Sequence, residues 1–279
     1  MKRRDFMKTT GVGAAAVSLP GLACVPKKAA EQPVKKTAAF QLGMASYTFR
    51  EFDLEDTIKM TQRLGLQRIA FKSFHLPLES TELEIKTIAQ RVKDAGLDLY
   101  GCGVVYMKNE DEVRRGFDYA KAGGMKIIIG VPNHDLLELV DQKVKEYDIK
   151  LAIHNHGPTD QVYPTPESAY ELIKHLDSRI GLCIDAGHTQ RAGIDPSDSA
   201  LNLADRLIDV HIKDVSSATK EGGTVEIGRG VIDIPKFLRT LIEIGYEGTA
   251  SFEFEKDGND PLPGVAESLG YVRGVLSVI

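Results

Sequence analysis

Histidines and carboxylates gather in the second half of this 279-residue chain at positions that could do chemistry together. His154-Asn155-His156, Asp185 with His188 just after it, His211 with Lys213 and Asp214, and the pair Glu253 and Glu255 each close a short apolar run. Imidazole and carboxylate from separate rigid segments make the donor set of a catalytic divalent-metal site, with Mn, Zn, Co, Mg and Fe as candidates. Such an ion polarises a carbonyl or hydroxyl and stabilises the enediolate left when a neighbouring proton departs; a nearby base must take that proton. Taken singly, each residue has a plainer reading. Asp185 could cap the following helix, His211 could be a satisfied core histidine, Glu253 or Glu255 an ordinary strand carboxylate, and Lys72 a surface lysine. What favours the joint reading is where the segments must lie.

From Phe40 onward, short β-like runs alternate with helical patterns. Strands are expected over 42–48, 67–74, 98–106, 126–131, 149–154, 180–185, 207–213 and 248–254. The clearest helix is 234–244, where Ile234, Phe237, Leu238, Leu241 and Ile242 form one apolar stripe. Asp233 suits its N-cap, Pro235 its first turn and Gly245 its end, and Gly65 and Gly96 end two other helices in the same way. Eight strand–helix units in order imply an α/β fold, a parallel (βα)8 TIM barrel. An open doubly wound sheet would want a glycine-rich turn after its first strand, and ASYTFRE has none. In a barrel, active residues sit at the carboxyl ends of the strands. That rule gathers five of the seven histidines, His75, His154, His156, His188 and His211, at one rim with Tyr47, Lys72, Asp185, Lys213 and Glu253.

With these residues placed, the segments AIHNHG, CIDAGHTQRAG, DVHIKDV and IGRGVIDIPKFLRTLIEIGYEGTASFEFE resemble the sugar phosphate isomerase/epimerase family, the xylose isomerase-like barrels whose superfamily includes endonuclease IV. The resemblance covers roughly residues 40–279 and is most specific from the seventh strand to the eighth. It implies a metal held by one residue from each of the last four strands: His154, Asp185, His211 and Glu253. It also implies a substrate contact or second-metal role for His188, and a loop near the site at Gly228, Arg229 and Gly230. Substrate contacts are expected from Tyr47, His75, Lys213 and Arg229. Two positions depart from the epimerase pattern. His154 and Lys72 stand where those enzymes carry glutamates, so the two-glutamate proton shuttle lacks its carboxylates. A single base beside a metal fits β-elimination or hydration of a 3-keto sugar, with His156 as base and Lys72 as a cation near the developing oxyanion. His156 could also replace His154 as ligand, since two-residue spacing turns both to one face.

The start of the chain is an address. Arg3-Arg4-Asp5-Phe6-Met7-Lys8 precedes a mildly apolar stretch too short to span a membrane, and resembles a twin-arginine (Tat) export signal. The expected organisation is a signal peptide over 1–24, a Lys/Ala/Pro-rich linker over 25–39 and the barrel over 40–279. Cys24 is a candidate lipidation site, and the sole expected link to a membrane. Cys102 and Cys183 are expected as buried free thiols rather than a disulfide. The net charge is −5 although the leader is basic, so the body is acidic and a nucleic-acid partner is not expected. Export points to a periplasmic or envelope location and to a free sugar, keto sugar or glycoside rather than a sugar phosphate. Two other classes remain open: a non-catalytic sugar-binding barrel, and an abasic-site endonuclease on the same fold.

Overall fold

The computed structural model describes residues 38–279, so the expected leader, Cys24 and most of the expected linker lie outside the described residues. Eight parallel strands close a barrel: β1 (Gln41–Ala45), β2 (Arg68–Phe71), β3 (Asp98–Met107), β4 (Ile127–Pro132), β5 (Lys150–His154), β6 (Ile180–Asp185), β7 (Leu207–Ile212) and β10 (Thr249–Phe252), which pairs with both β7 and β1. Helices cover the outside: α1 (Leu54–Arg63), α2 (Glu82–Asp94), α3 (Glu110–Ala122), α4 (Leu137–Tyr147), α5 (Pro166–Ile173), α6 (Ala186–Arg191), α7 (Pro196–Asn202), α8 (Ile234–Glu243) and α9 (Leu262–Val278). The α8 stripe behaves as its spacing predicts. Ile234, Phe237, Leu238 and Leu241 are buried, and Asp233 accepts a hydrogen bond from the Lys236 N–H at 2.9 Å. Burying each such side chain stabilises the fold by about 1.5–3 kcal/mol. Gly245 closes the helix at φ +70°, a conformation in which any side chain would be strained.

Three features differ from the sequence reading. β2 ends at Phe71 because the Lys72 N–H leaves the ladder for Ser46 Oγ at 2.8 Å, and the chain then turns through His75. β10 ends at Phe252 because the Phe254 N–H goes to Thr48 Oγ1 at 3.0 Å. After β7 the chain forms a small antiparallel hairpin, β8 (Asp214–Val215) with β9 (Thr224–Val225), which apolar periodicity alone did not foreshadow. Cys102 and Cys183 are buried and free, as expected.

One buried group within the barrel makes stability depend on pH. Asp209 on β7 is fully buried. Burial pushes its pKa up to about 7, with His211 and Tyr100 opposing. The folded value lies above the unfolded one, so this stability is fully present below about pH 3.8 and is lost as pH rises through 7. Relative to Asp209→Asn, the wild-type melting temperature should therefore fall between pH 5 and pH 8. The cost is on the order of 2 kcal/mol once local relaxation is allowed for. Parallel melting curves across that range would show that Asp209 is ionised in the folded barrel.

Candidate metal centre

The two oxygens of Asp185 face different ways. As the last residue of β6 it precedes α6, and Oδ1 accepts the His188 N–H at 2.7 Å, capping the helix. Oδ2 turns inward, 3.5 Å from His154 Nε2 at the end of β5. That imidazole nitrogen stands 3.0 Å from His211 Nδ1 on β7, which in turn stands 3.3 Å from Glu253 Oε2, one residue past β10. All four side chains are buried, and the four donor atoms lie within 4.8 Å of one another. His156 and Glu255 fall outside this group.

The group fits a divalent ion on three counts. Donors about 2.0–2.2 Å from one ion stand about 3.0–3.5 Å apart, and the three separations fall in that range. Asp185 Oδ2 is buried, and the polar groups that face it are the Lys213 ammonium at 3.0 Å and the His154 ring at 3.5 Å. The charges also ask for two positive units. Lys213, 2% exposed, places Nζ 3.0 Å from Asp185 Oδ2, 2.9 Å from Glu253 Oε2 and 3.1 Å from Glu255 Oε1. One ammonium among three carboxylates leaves two negative charges; His211 offsets one while it holds a proton, and a divalent ion would cancel both once that proton leaves. Burial alone would raise the Asp185 carboxyl, but Lys213, His188 and His154 hold it well below the usual range. Burial likewise opposes an ionised Glu253, which Lys213 and His211 hold well below its usual value. Burial and the neighbouring His156 keep His154 well below the ordinary histidine pKa, hence neutral and able to donate a lone pair. His211 runs the other way: burial opposes a charge, but Cys183 and Glu253 hold its pKa well above the usual value.

Above the cluster opens a cavity of about 140 Å³ lined by Tyr47, Lys72, Val104, Tyr106, His154, His156, His188, Glu253 and Glu255. Tyr47, Lys72, His156 and His188 therefore face one space, as their positions at the strand ends predict. Lys72 Nζ donates to Val104 O and lies 5.3 Å from the Tyr106 ring centre; burial lowers its pKa, against the pull of Glu253. His156 has its pKa lowered by burial and by His188. Its Nε2 is 3.2 Å from Tyr106 Oη, and its Nδ1 is 3.8 Å from Asp160.

The other three expected substrate contacts sit elsewhere. Lys213 lies beneath the carboxylates, its stem packed over Gly187, where a Cβ would come 2.7 Å from Lys213 Cδ. His75 is buried, with Nδ1 on Ser46 Oγ at 2.9 Å and Nε2 facing the Phe49 and Phe52 carbonyls, so it staples the turn after β1. Arg229 forks onto Glu267 of α9 at 2.6 and 2.7 Å, away from the cavity. The Gly-x-Gly around it serves Asp214 instead. The Asp214 carboxylate accepts the N–H groups of Gly228, Gly230 and Ile232, and a Cβ at Gly230 would stand 2.1 Å from Asp214 Oδ1.

Two residues of the site were not singled out from sequence. Tyr106 lies at the carboxyl end of β3, so the strand-end rule already pointed to it. Asn155 latches β5 to β6, accepting the Asp185 N–H at 3.0 Å and donating to Thr189 Oγ1 at 3.1 Å. No local pattern announces that role.

Residues 58–275 match the family described as xylose isomerase-like TIM barrel, and residues 1–20 match the twin-arginine translocation pathway signal sequence. The rhizopine catabolism protein MocC of Rhizobium meliloti is 30% identical over 145 residues, 47% of this chain and 44% of that protein. An inosose dehydratase of Geobacillus kaustophilus is 30% identical over 145 residues, 46% of this chain and 45% of that enzyme. The matched stretches thus span about half the length of these curated relatives. Among solved structures, the IolI protein with a bound zinc atom superposes with a TM-score of 0.73 at 19% identity. That match covers 85% of this chain and 98% of IolI, a likeness of fold.

Proposed function

The chain belongs to the xylose isomerase-like TIM barrel family, and from that membership we propose a divalent-metal-dependent enzyme that removes a proton beside the carbonyl of a non-phosphorylated keto sugar. The favoured outcome is β-elimination from a 3-keto-glycoside. One observation carries the choice. The cavity presents Lys72 and His156 at the ends of β2 and β5, and its two carboxylates, Glu253 and Glu255, are both paired with Lys213, which leaves no free carboxylate to serve as a second base. Epimerisation needs proton exchange on two faces of one carbon, whereas elimination needs one base and help for the departing group. The dehydratase relative supports the same reading.

His154, Asp185, His211 and Glu253 would hold the ion, and imidazole with carboxylate suits Mn, Zn, Co or Fe better than Mg. Bound there, it supplies Lewis-acid polarisation of the substrate oxygens. His156 Nε2, kept neutral by burial, takes the proton; Asp160 near Nδ1 favours the cation that forms. Lys72 brings positive charge toward the developing oxyanion. His188 and Tyr47 contact the sugar ring from the cavity wall. Export under the twin-arginine signal gives a periplasmic or envelope enzyme with 1–24 as leader, 25–39 as linker and Cys24 as its candidate lipid anchor. The test is proton NMR in deuterium oxide with a 3-keto-glucoside and the metal-loaded protein. We expect release of the leaving group, at least about a hundredfold slower after chelation and restored by added divalent metal. Deuterium uptake with the glycosidic bond intact would instead select an epimerase or isomerase. Neither event on any keto sugar would leave a binding protein.

A further inference from the structure

The rim is divided in two. The strands from β5 to β10 supply the metal cluster, while β1, β2 and β3 each deliver an aromatic ring at or just past their carboxyl ends: Tyr47, Phe74 and Tyr106. These rings are not needed by the core. Phe74 is 56% exposed, Tyr106 45%, and Tyr47 is partly buried. An exposed phenylalanine forgoes most of the roughly 1.5–3 kcal/mol that burial would give it. The rings are nevertheless organised. Tyr47 and Phe74 lie 6.0 Å apart at 43°, and Tyr106 stacks on His156 at 5.7 Å and 16°, its hydroxyl 3.2 Å from His156 Nε2. Two of the three line the reactive cavity, so the aromatic surface is continuous with it.

The cavity, at about 140 Å³, is well below the roughly 300 Å³ at which small-molecule sites usually begin. It has room for the reacting part of a substrate, and anything attached to that part must continue over the mouth. We infer that Tyr47, Phe74 and Tyr106 form a second subsite, which takes the flat apolar face of a glycoside's leaving group: a second pyranose ring or an aromatic aglycone. The faces of a pyranose present C–H bonds, which pack on aromatic rings, and an aryl group stacks there in the same way. Tyrosine and phenylalanine offer such surface with few rotamers to freeze. This inference rests on the cavity being where the keto-sugar ring reacts.

Binding to the metal-loaded full chain can test the subsite without turnover. The probes are methyl β-glucoside, cellobiose and 4-nitrophenyl β-glucoside, with affinities read by calorimetry or NMR titration. We expect the two larger ligands to bind about fivefold to twentyfold tighter than the methyl glucoside. Phe74→Ala should collapse that gap to within about twofold at an unchanged melting temperature. Tyr106→Phe, which keeps the ring, should preserve the gap, whereas Tyr106→Ala should shrink it. Comparing cellobiose with the aryl glucoside tells which leaving group the rings prefer. Equal affinities, no binding of the larger ligands, or a gap that survives Phe74→Ala would overturn the subsite. No reaction on keto sugars, with the affinity gap intact, would sink the elimination reading alone.

Discussion

Lys213→Met should destabilise the metal-free protein by about 3–5 kcal/mol, the usual effect of removing one partner from a buried ionic group. The variant keeps a similar apolar stem over Gly187 but takes the cation away from Asp185, Glu253 and Glu255, all within 3.1 Å of it. In a domain of this size that corresponds to a melting temperature lower by about 6–20 °C in the presence of chelator. Metal should reverse the loss. An ion at about a thousand times its Kd stabilises the folded state by about 4 kcal/mol, comparable to the defect. Melting curves of wild type and variant, with chelator and with excess Mn or Zn, measure both effects. A Lys213→Met protein as stable as wild type in chelator would mean that Lys213 is not the internal counter-ion. One that metal fails to rescue would mean that these carboxylates do not face the ion.

Asp185→Asn should abolish metal retention and lower kcat/KM on the keto-glycoside by at least about a thousandfold, since a bound Lewis acid is worth several kcal/mol of transition-state stabilisation. Asparagine caps helices about as well as aspartate, so the bond from the His188 N–H survives and the fold should hold. The substitution separates the two oxygens of one side chain: it keeps a cap and removes a ligand. Metal content by elemental analysis, alongside rates, checks it. Full metal occupancy with near-normal turnover would show that the four-residue cluster is not the working centre.

Binding should also couple to pH. Burial opposes a charge on His211, while the Glu253 carboxylate 3.3 Å away favours one and raises its pKa, so a proton held there must leave when the nitrogen binds an ion. Metal affinity is therefore expected to fall on acidification. Titration calorimetry in buffers of different ionisation enthalpy should read on the order of one proton released per ion near neutral pH. A proton count of zero would mean that His211 is already neutral in the metal-free barrel.

The eightfold alternation of strand and helix, the caps such as Asp233, and the rim position of His154, Asp185, His211 and Glu253 were all legible in the residues. These depend on local periodicity and on one rule about strand ends, and both survive without knowledge of packing. Strand ends were less legible. β2 and β10 stop early because the hydroxyls of Ser46 and Thr48, distant in sequence, capture their N–H groups. Roles were least legible where a residue type is versatile. Lys213, Arg229 and His75 share the chemistry of substrate ligands. Yet each is committed to a partner 23 to 40 residues away in the chain: Glu253 for Lys213, Glu267 for Arg229, and Ser46 with the Phe49 and Phe52 carbonyls for His75.

The family, the barrel, the twin-arginine start and the donor types of the candidate metal cluster could all be read from the residues. Periodicity and motif spacing are local, and these follow from them. Only the tertiary structure separated His154 from His156, and it keeps Glu253, not Glu255, in the cluster as the resemblance implied. Neighbours two positions apart share a face, and which of them meets its counterparts depends on how far each strand runs before it leaves the sheet. It also turned Lys213 from a candidate substrate contact into the internal cation of the same cluster, because closure of the barrel brings β6, β7 and β10 side by side.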